Sequence, residues 1–247
     1  MIRAENISKN FRIAAGEYTL LEVLFLAGKK RRDNAYSRVL NNVTFEVAKG
    51  QRLALIGESG HGKTTLLRIL CGIYRPDSGS FSIEGQIRAL YAYCVGFYQY
   101  LPVIDNMYVI AAIHGIERKT MTPLIDEILG SCGLAHLKNA QLRELSIGQQ
   151  EKLTMSIFMQ AQGDIYLFDE TLAHIDEGFA ARLDSFIMYL IDAGKTIIMT
   201  SHNVDVLRRY CTDALWLHRG AIREQGKTDT VIGSYVNYLR SKEKTAL

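Results

Sequence analysis

Three short apolar runs punctuate the chain: RLALIG at 52–57, DIYLFDE at 164–170 and KTIIMTSH at 195–202. Each is continuous rather than alternating and ends in small or polar residues, the pattern of parallel strands covered on both faces. Between them the period changes. KTTLLRILCGI (63–73) sets Leu66, Leu67, Leu70 and Cys71 on one helical face, and EGFAARLDSFIMYLIDAG (177–194) does the same with Phe179, Leu183, Phe186, Ile187 and Leu190. Gly194 stands where that second helix would be capped. Strands alternating with helices predict an α/β fold with a doubly wound sheet, whose ligands bind at the carboxyl ends of the strands. The ends of the chain follow another pattern. Residues 1–13 and 38–48 predict strands of a smaller antiparallel layer, residues 213–226 a hairpin turning at Arg219–Gly220, and the tail from Thr228 a terminal helix. Residues 105–160 carry a mostly helical pattern and interrupt the core between its first and second strands.

Composition changes this picture little. A 48% hydrophobic, 22% charged chain of 247 residues is an ordinary globular protein, and a net charge of +3 is too small to point to nucleic acid. Cys71, Cys94, Cys132 and Cys211 form no CxxC pair and have no metal-ligand spacing with a histidine, which predicts reduced thiols. No apolar stretch reaches the ~20 residues needed to span a bilayer, so any work at a membrane is expected from its surface.

The chemistry lies at the strand ends. GESGHGKTT (57–65) fits G-x-x-x-x-G-K-[ST] between a predicted strand and a predicted helix, the context in which that pattern cradles phosphates. Gly57, Gly60 and Gly62 let the backbone wrap with Glu58, Ser59 and His61 between them. Lys63 is expected to reach the β and γ phosphates, and the Thr64 hydroxyl, followed by Thr65, to ligate Mg²⁺. Asp169 and Glu170 end the second strand, where one carboxylate suits Mg²⁺ and the next suits polarising a water for attack on a γ phosphate. His202 ends the third strand. A fourth segment, ELSIGQQEKL (144–153), contains Ser146 and Gln149 in capping-box spacing, so a helix is expected to start there.

Taken in order, these residues resemble the nucleotide-binding subunit of an ABC transporter. GESGHGKTT stands as its Walker A, IYLFDE as its Walker B with catalytic glutamate Glu170, AHID (173–176) as its D-loop with Asp176, and His202 as its switch histidine. LSIGQ (145–149) stands at the family's LSGGQ signature. The resemblance covers essentially the whole chain. It implies a RecA-like P-loop NTPase core with an antiparallel β subdomain and an inserted helical subdomain at about 105–160, all in one domain over 1–247. It implies ATP and Mg²⁺ as ligands and a homodimer with composite sites, in which Ser146, Gly148 and Gln149 face the γ phosphate held by the opposite subunit. Phe11 matches the aromatic that stacks on adenine. The metal set would be Thr64, Asp169 and the Q-loop glutamine. In VGFYQYLPVIDNM (95–107) the spacing from Asn106 puts Tyr98 at that glutamine position and Gln99 one residue beyond it. Other departures are Ile147 in place of the signature's third-position glycine, His174 in the D-loop and Thr171 after the glutamate.

Further features are similar to the ATPases that export capsular polysaccharide, O-antigen or teichoic acid: CGIYRPDSG (71–79), VGFYQYLPVIDNM, KTDTVIGSYVNYL near the end, and an insertion after SKNFRI. That insertion joins Leu20, Leu21, Val23, Leu24, Phe25 and Leu26 to Lys29, Lys30, Arg31 and Arg32, a composition that suits either anionic headgroups or packing on its own domain. The length favours a capsule-like or teichoic-like exporter over O-antigen ATPases that carry an extra carbohydrate-binding domain. Tyr91, Tyr93, Phe97, Tyr98 and Tyr100 are expected near the groove for a membrane subunit, or, for Tyr91 and Tyr93, within the smaller sheet. The implied partners are a second copy and integral membrane permease subunits, with the chain peripheral at the cytoplasmic face of the inner membrane and no nucleic acid. An importer or drug-exporter ATPase is the alternative within the family. A small-molecule kinase is disfavoured by LSIGQ and the switch histidine. A binding subunit with weak hydrolysis is kept open by Ile147 and the displaced glutamine.

Overall fold

The computed structural model describes residues 1–12, 36–90, 96–170 and 177–245. Most of the insertion, Tyr91, Tyr93, Thr171, His174 and Asp176 lie outside the described residues.

Strand β1 (Ile2–Arg12) pairs antiparallel with β2 (Tyr36–Val47), Ile2 opposite Val47. The main sheet begins with β3 (Arg52–Ile56), which leads through the phosphate loop into α1 (Lys63–Leu70). Two strands then appear that the apolar pattern does not announce. β4 (Ser78–Ile83) joins the far edge of β1, completing a three-stranded layer in the order β2-β1-β4. Its sequence, SGSFSI, is mostly polar. It is held by Asp77, which accepts from the Lys9 ammonium at 2.7 Å and the Asn10 amide at 2.6 Å; the lysine's hydrogen bond holds the Asp77 carboxyl below its ordinary range. β5 (Ile87–Leu90) is four residues long, too short to display a period.

The helical segment comprises α2 (Val103–Ile113), α3 (Arg118–Met121), α4 (Ile125–Ser131) and α5 (Ile147–Phe158). Then come β6 (Ile165–Asp169), α6 (Glu177–Asp192), β7 (Thr196–Thr200), α7 (Val204–Tyr210), β8 (Asp213–His218), β9 (Ala221–Lys227) and α8 (Thr228–Thr245). The second sheet runs β5-β6-β7-β3-β8-β9, parallel except for β9.

The continuous apolar runs are explained by two cores. Along β6, Ile165 and Leu167 enter one cluster with α1 and the antiparallel layer, while Tyr166 and Phe168 enter the other with α6, α7 and α8. β3 divides the same way, Leu53 and Leu55 against Ala54 and Ile56. Both faces of each strand are dry, so the two-residue alternation survives in space and vanishes from the hydropathy. A third cluster, among Val103, Met107, Leu129, Leu153 and their neighbours, belongs to the helical segment.

The turns follow their residues. Arg219 (φ 49°) and Gly220 (φ 79°) are both left-handed, as a two-residue hairpin requires. Gly194 (φ 65°) ends α6, with its N–H on Ile191 O and that of Lys195 on Leu190 O. The hairpin belongs to the main sheet, with β8 beside β3. α8 covers it: Trp216 lies 5.3 Å from both Tyr235 and Tyr238, and the Arg223 guanidinium is 4.4 Å from the Trp216 and Tyr238 rings.

Candidate phosphate-binding site

The loop between β3 and α1 is shaped by its glycines. Gly57 has φ 149°, and a Cβ there would stand 2.3 Å from the Leu217 carbonyl oxygen on β8. Gly62 (φ 100°) is the N-cap of α1, and a Cβ there would meet Leu40 Cδ2 at 2.7 Å and Val39 O at 2.8 Å. The loop is therefore pinned between the hairpin and β2, with its first and last glycines at the contacts. The helical ladder starts with Leu66 N donating to Gly62 O, so the amides of Lys63, Thr64 and Thr65 precede it at the positive end of the helix. That end, inside a glycine-rich turn, offers backbone donors and partial positive charge to an anion.

Lys63 is 6% exposed. Its ammonium donates to Gly57 O at 2.8 Å and Glu58 O at 3.3 Å, and lies 3.6 Å from Glu170 Oε1. The other Glu170 oxygen is 3.2 Å from His202 Nε2. A lysine from the loop, a glutamate from the end of β6 and a histidine from beyond β7 thus form one chain of charged and polar contacts, although β7 separates β6 from β3 in the sheet.

Thr200, which the sequence reading passed over, organises the carboxylates. It sits opposite Asp169 in the β6–β7 register. Its hydroxyl donates to Asp169 Oδ1 at 2.8 Å and accepts the Glu170 amide at 2.9 Å. Asp169 is buried, with that bond on one oxygen, while Glu170 takes a left-handed backbone (φ 54°) that turns its side chain toward Lys63 and His202. A non-glycine residue at positive φ is a strained conformation held by its surroundings. Here the hold is the pair of bonds from its amide to Thr200 Oγ1 and O. Thr200 is the last residue of the apolar run KTIIMTSH before Ser201-His202, and its polar side chain in a buried strand is the signal that marks it.

The capping box is present in full. Ser146 N donates to Gln149 Oε1 at 2.8 Å and Gln149 N to Ser146 Oγ at 3.3 Å. Ser146, Ile147 and Gly148 are exposed, Ile147 at 71%. The loop carrying Tyr98 and Gln99 is tied to the approach to this helix: Arg143 N donates to Gln99 O and Leu142 N to Leu101 O, both at 3.0 Å. Buried Asn106 holds the same loop through Tyr98 N, Tyr98 O, Leu101 O and Pro102 O. Gln99 and its loop are therefore tied by backbone bonds to residues 142–143, which lead into LSIGQ. Lys63, Glu170, His202, Asp169 and Thr200 form another group. Phe11 is half-buried on β1 with its ring edge-on to Tyr74 at 5.4 Å.

Comparison with known proteins bears on this arrangement. The family model described as ABC transporter matches residues 40–173, more than half of the chain and most of the elements just described. The chain belongs to the ABC transporter family, as an ATP-binding domain. Among the similar ABC proteins are a teichoic acids export ATP-binding protein, TagH, from Bacillus anthracis and an O-antigen export system ATP-binding protein, RfbB, from Myxococcus xanthus. The first is 28% identical over 97% of this chain and 43% of the relative, the second 31% over 94% of this chain and 54% of the relative. The chain thus spans about half the length of these two ABC relatives. A dimeric ATP-binding cassette in a post-hydrolysis state bound to ADP and Pi superposes with a TM-score of 0.71 at 18% identity, over 92% of this chain and 99% of that one. The RecA-like core with an antiparallel layer is therefore the ABC ATPase fold.

Proposed function

We propose that this chain is the ATP-hydrolysing subunit of an ABC exporter for a cell-surface polysaccharide, working as a homodimer with separate membrane subunits. The observation that carries the reading is the contact chain Lys63–Glu170–His202 at the carboxyl ends of three neighbouring strands. A buried cation for phosphate, a carboxylate and a histidine on one small surface suit attack of water on a γ phosphate. The named export systems of the relatives supply the substrate class.

On this reading the phosphates of ATP lie in the 57–65 loop and over the amides of Lys63, Thr64 and Thr65. The Thr64 hydroxyl and the Asp169 carboxylate fit Mg²⁺, being hard oxygens; the Gln99 amide would join them only on movement of its loop, which is tied to the approach to α5. When bound, the ion neutralises phosphate charge. Glu170 takes the proton of the attacking water, and His202 both orients Glu170 and contacts the γ phosphate. Phe11 stacks on the base, with Tyr74 edge-to-face against its ring. Ser146, Gly148 and Gln149 meet the nucleotide of the opposite subunit, and Asp176 lies at the shared face. Exposure of Ser146–Gly148 suits that role. The chain is one ABC ATPase domain with the helical segment inserted at about 105–160, its apolar cluster built from that segment alone apart from Phe97, Val103, Ile104 and Ala161. Among the described residues no helix is long and apolar enough to cross a membrane. The export-system names of the relatives support contact with the inner membrane at its cytoplasmic face, through permease subunits.

Composite sites make activity depend on association. Specific ATPase activity of the purified chain should rise with protein concentration and then level off. Constant specific activity on dilution of a species that sizes as a monomer would overturn the composite site. A second reading, a nucleotide-binding subunit with weak hydrolysis, rests on Ile147, whose exposed branched side chain occupies the signature's glycine position.

Thr200→Val keeps the shape and removes both hydroxyl bonds. Asp169 then loses a donor and the Glu170 amide loses one of its two acceptors. The expected result is a fall in kcat on the order of tenfold, from misplacement of the glutamate rather than loss of it, with nucleotide affinity changed much less. Wild-type kcat in this variant would remove Thr200 from a positioning role.

A further inference from the structure

We propose that Glu58, His61 and His218 form a binding site for a divalent transition-metal ion of the Zn²⁺ type, on the outer side of the phosphate loop. Two of the three come from the loop and the third from the end of β8. Their ligand atoms lie within 4.8 Å of one another. Each presents a buried polar atom with no hydrogen-bond partner among the described residues: Glu58 Oε2, His61 Nδ1 and His218 Nδ1. A buried donor or acceptor left unpaired is costly, and three in one cluster call for a shared partner. The cluster offers two imidazoles and one carboxylate, a set that binds Zn²⁺ with one coordination position left open; His61 Nε2 faces Glu58 Oε2 at 3.9 Å, so either nitrogen of His61 can serve after a ring rotation.

The surroundings are built for ligation. The Lys242 ammonium of α8 hydrogen-bonds Glu58 Oε1, leaving Oε2 for an ion and fixing the carboxylate from behind. That bond also holds the Glu58 carboxyl below its ordinary range. The His61 and His218 rings meet edge-to-face at 5.0 Å, and Tyr238 packs on His218 at 5.2 Å. Burial, followed by the proximity of His61, Arg223 and Arg219 and against the pull of Glu58, lowers the His218 pKa from its ordinary value, in the direction of the neutral form that ligates. Bonds of about 2 Å in tetrahedral geometry set donors roughly 3.3 Å apart, so closure needs side-chain movements of about an ångström, within the reach of χ rotations. The positive charge of Lys242, Arg219 and Arg223 opposes the ion, so a reversible rather than permanent site is expected. An ion there would join the phosphate loop to β8, and through Lys242 to α8.

The test is a titration of the chelator-stripped full chain with Co²⁺, followed by visible absorption, and with Zn²⁺, followed by calorimetry, both without nucleotide. One equivalent should bind, with the intense d–d bands of a four-coordinate cobalt site. His218→Gln and His61→Gln should each weaken it at least about tenfold, while His202→Gln should bind as the wild type does. Histidine ring NMR signals of the wild type give a readout independent of any variant's folding, with His61 and His218 shifting on Zn²⁺ addition. Absence of stoichiometric binding, binding abolished by His202→Gln instead, or unchanged His61 and His218 resonances would each overturn the proposal. Because nucleotide is absent throughout, none of these results depends on the export reading.

Discussion

Glu170→Gln is expected to bind ATP and to lose turnover, with kcat down by about two to four orders of magnitude, the range attributable to a general base. The substitution keeps the length and planarity of the side chain, and an amide still hydrogen-bonds His202, which now lies 3.2 Å from Oε2. The left-handed backbone at residue 170 is also retained, since it is held by the amide bonds to Thr200 and not by the carboxylate. What disappears is the proton acceptor and one negative charge 3.6 Å from the Lys63 ammonium. A carboxylate that close competes with phosphate oxygens for the lysine. Its neutralisation should leave ATP affinity equal or higher, and dimers that form on ATP should persist. The measurements are phosphate release, equilibrium ATP binding and sizing with and without ATP. Undiminished turnover would remove Glu170 as the base. Loss of binding together with turnover would make it a binding residue and move the chemistry elsewhere.

The contacts of Glu170 also show how far sequence reaches. Strand type, the phosphate loop, the capping box and the hairpin are written in local terms: a continuous apolar run, a glycine spacing, a serine three residues before a glutamine, Arg219–Gly220. Each was readable because its cause lies within a few residues. β4 and β5 were not, because their causes are distant. SGSFSI has no strand pattern of its own and is recruited by the free edge of β1 and by Asp77 reaching Lys9 and Asn10. β5 takes its place from pairing with β6, Ile87 opposite Ile165. The same limit applies to the site. Lys63, Glu170 and His202 each belong to a known local pattern. Thr200 matters only because register places it opposite Asp169, and His218 meets His61 only because β8 adjoins β3.

Gly57→Ala should be the most damaging single methyl in the chain's phosphate loop, costing about 2–6 kcal/mol. Two separate terms add. At φ 149° a side chain is forced into a region that L residues rarely occupy, worth about 1–3 kcal/mol. The new Cβ would also stand 2.3 Å from the Leu217 carbonyl oxygen, a backbone atom one residue before the last of β8, paired to β9, that no rotamer change can move. Overpacking of this kind costs about 1–3 kcal/mol. The sum is a large part of the 5–15 kcal/mol that typically separates folded from unfolded domains. Relief by displacement is no cheaper, since Leu217 is buried in the core beneath α1 and β8 pairs with β3 at Ile56–Trp216. Gly60→Ala supplies the internal control. Its φ of 78° is also left-handed, but a Cβ there meets nothing within 4 Å, so only the conformational term applies. Urea unfolding should place Gly57→Ala well below Gly60→Ala, and Gly60→Ala modestly below the wild type. Equal midpoints for the two variants would mean that close approach of β8 does not set the geometry of the loop. ATP binding should separate them in the same order, because pushing residue 57 away from Leu217 also moves the carbonyl that holds Lys63 at 2.8 Å.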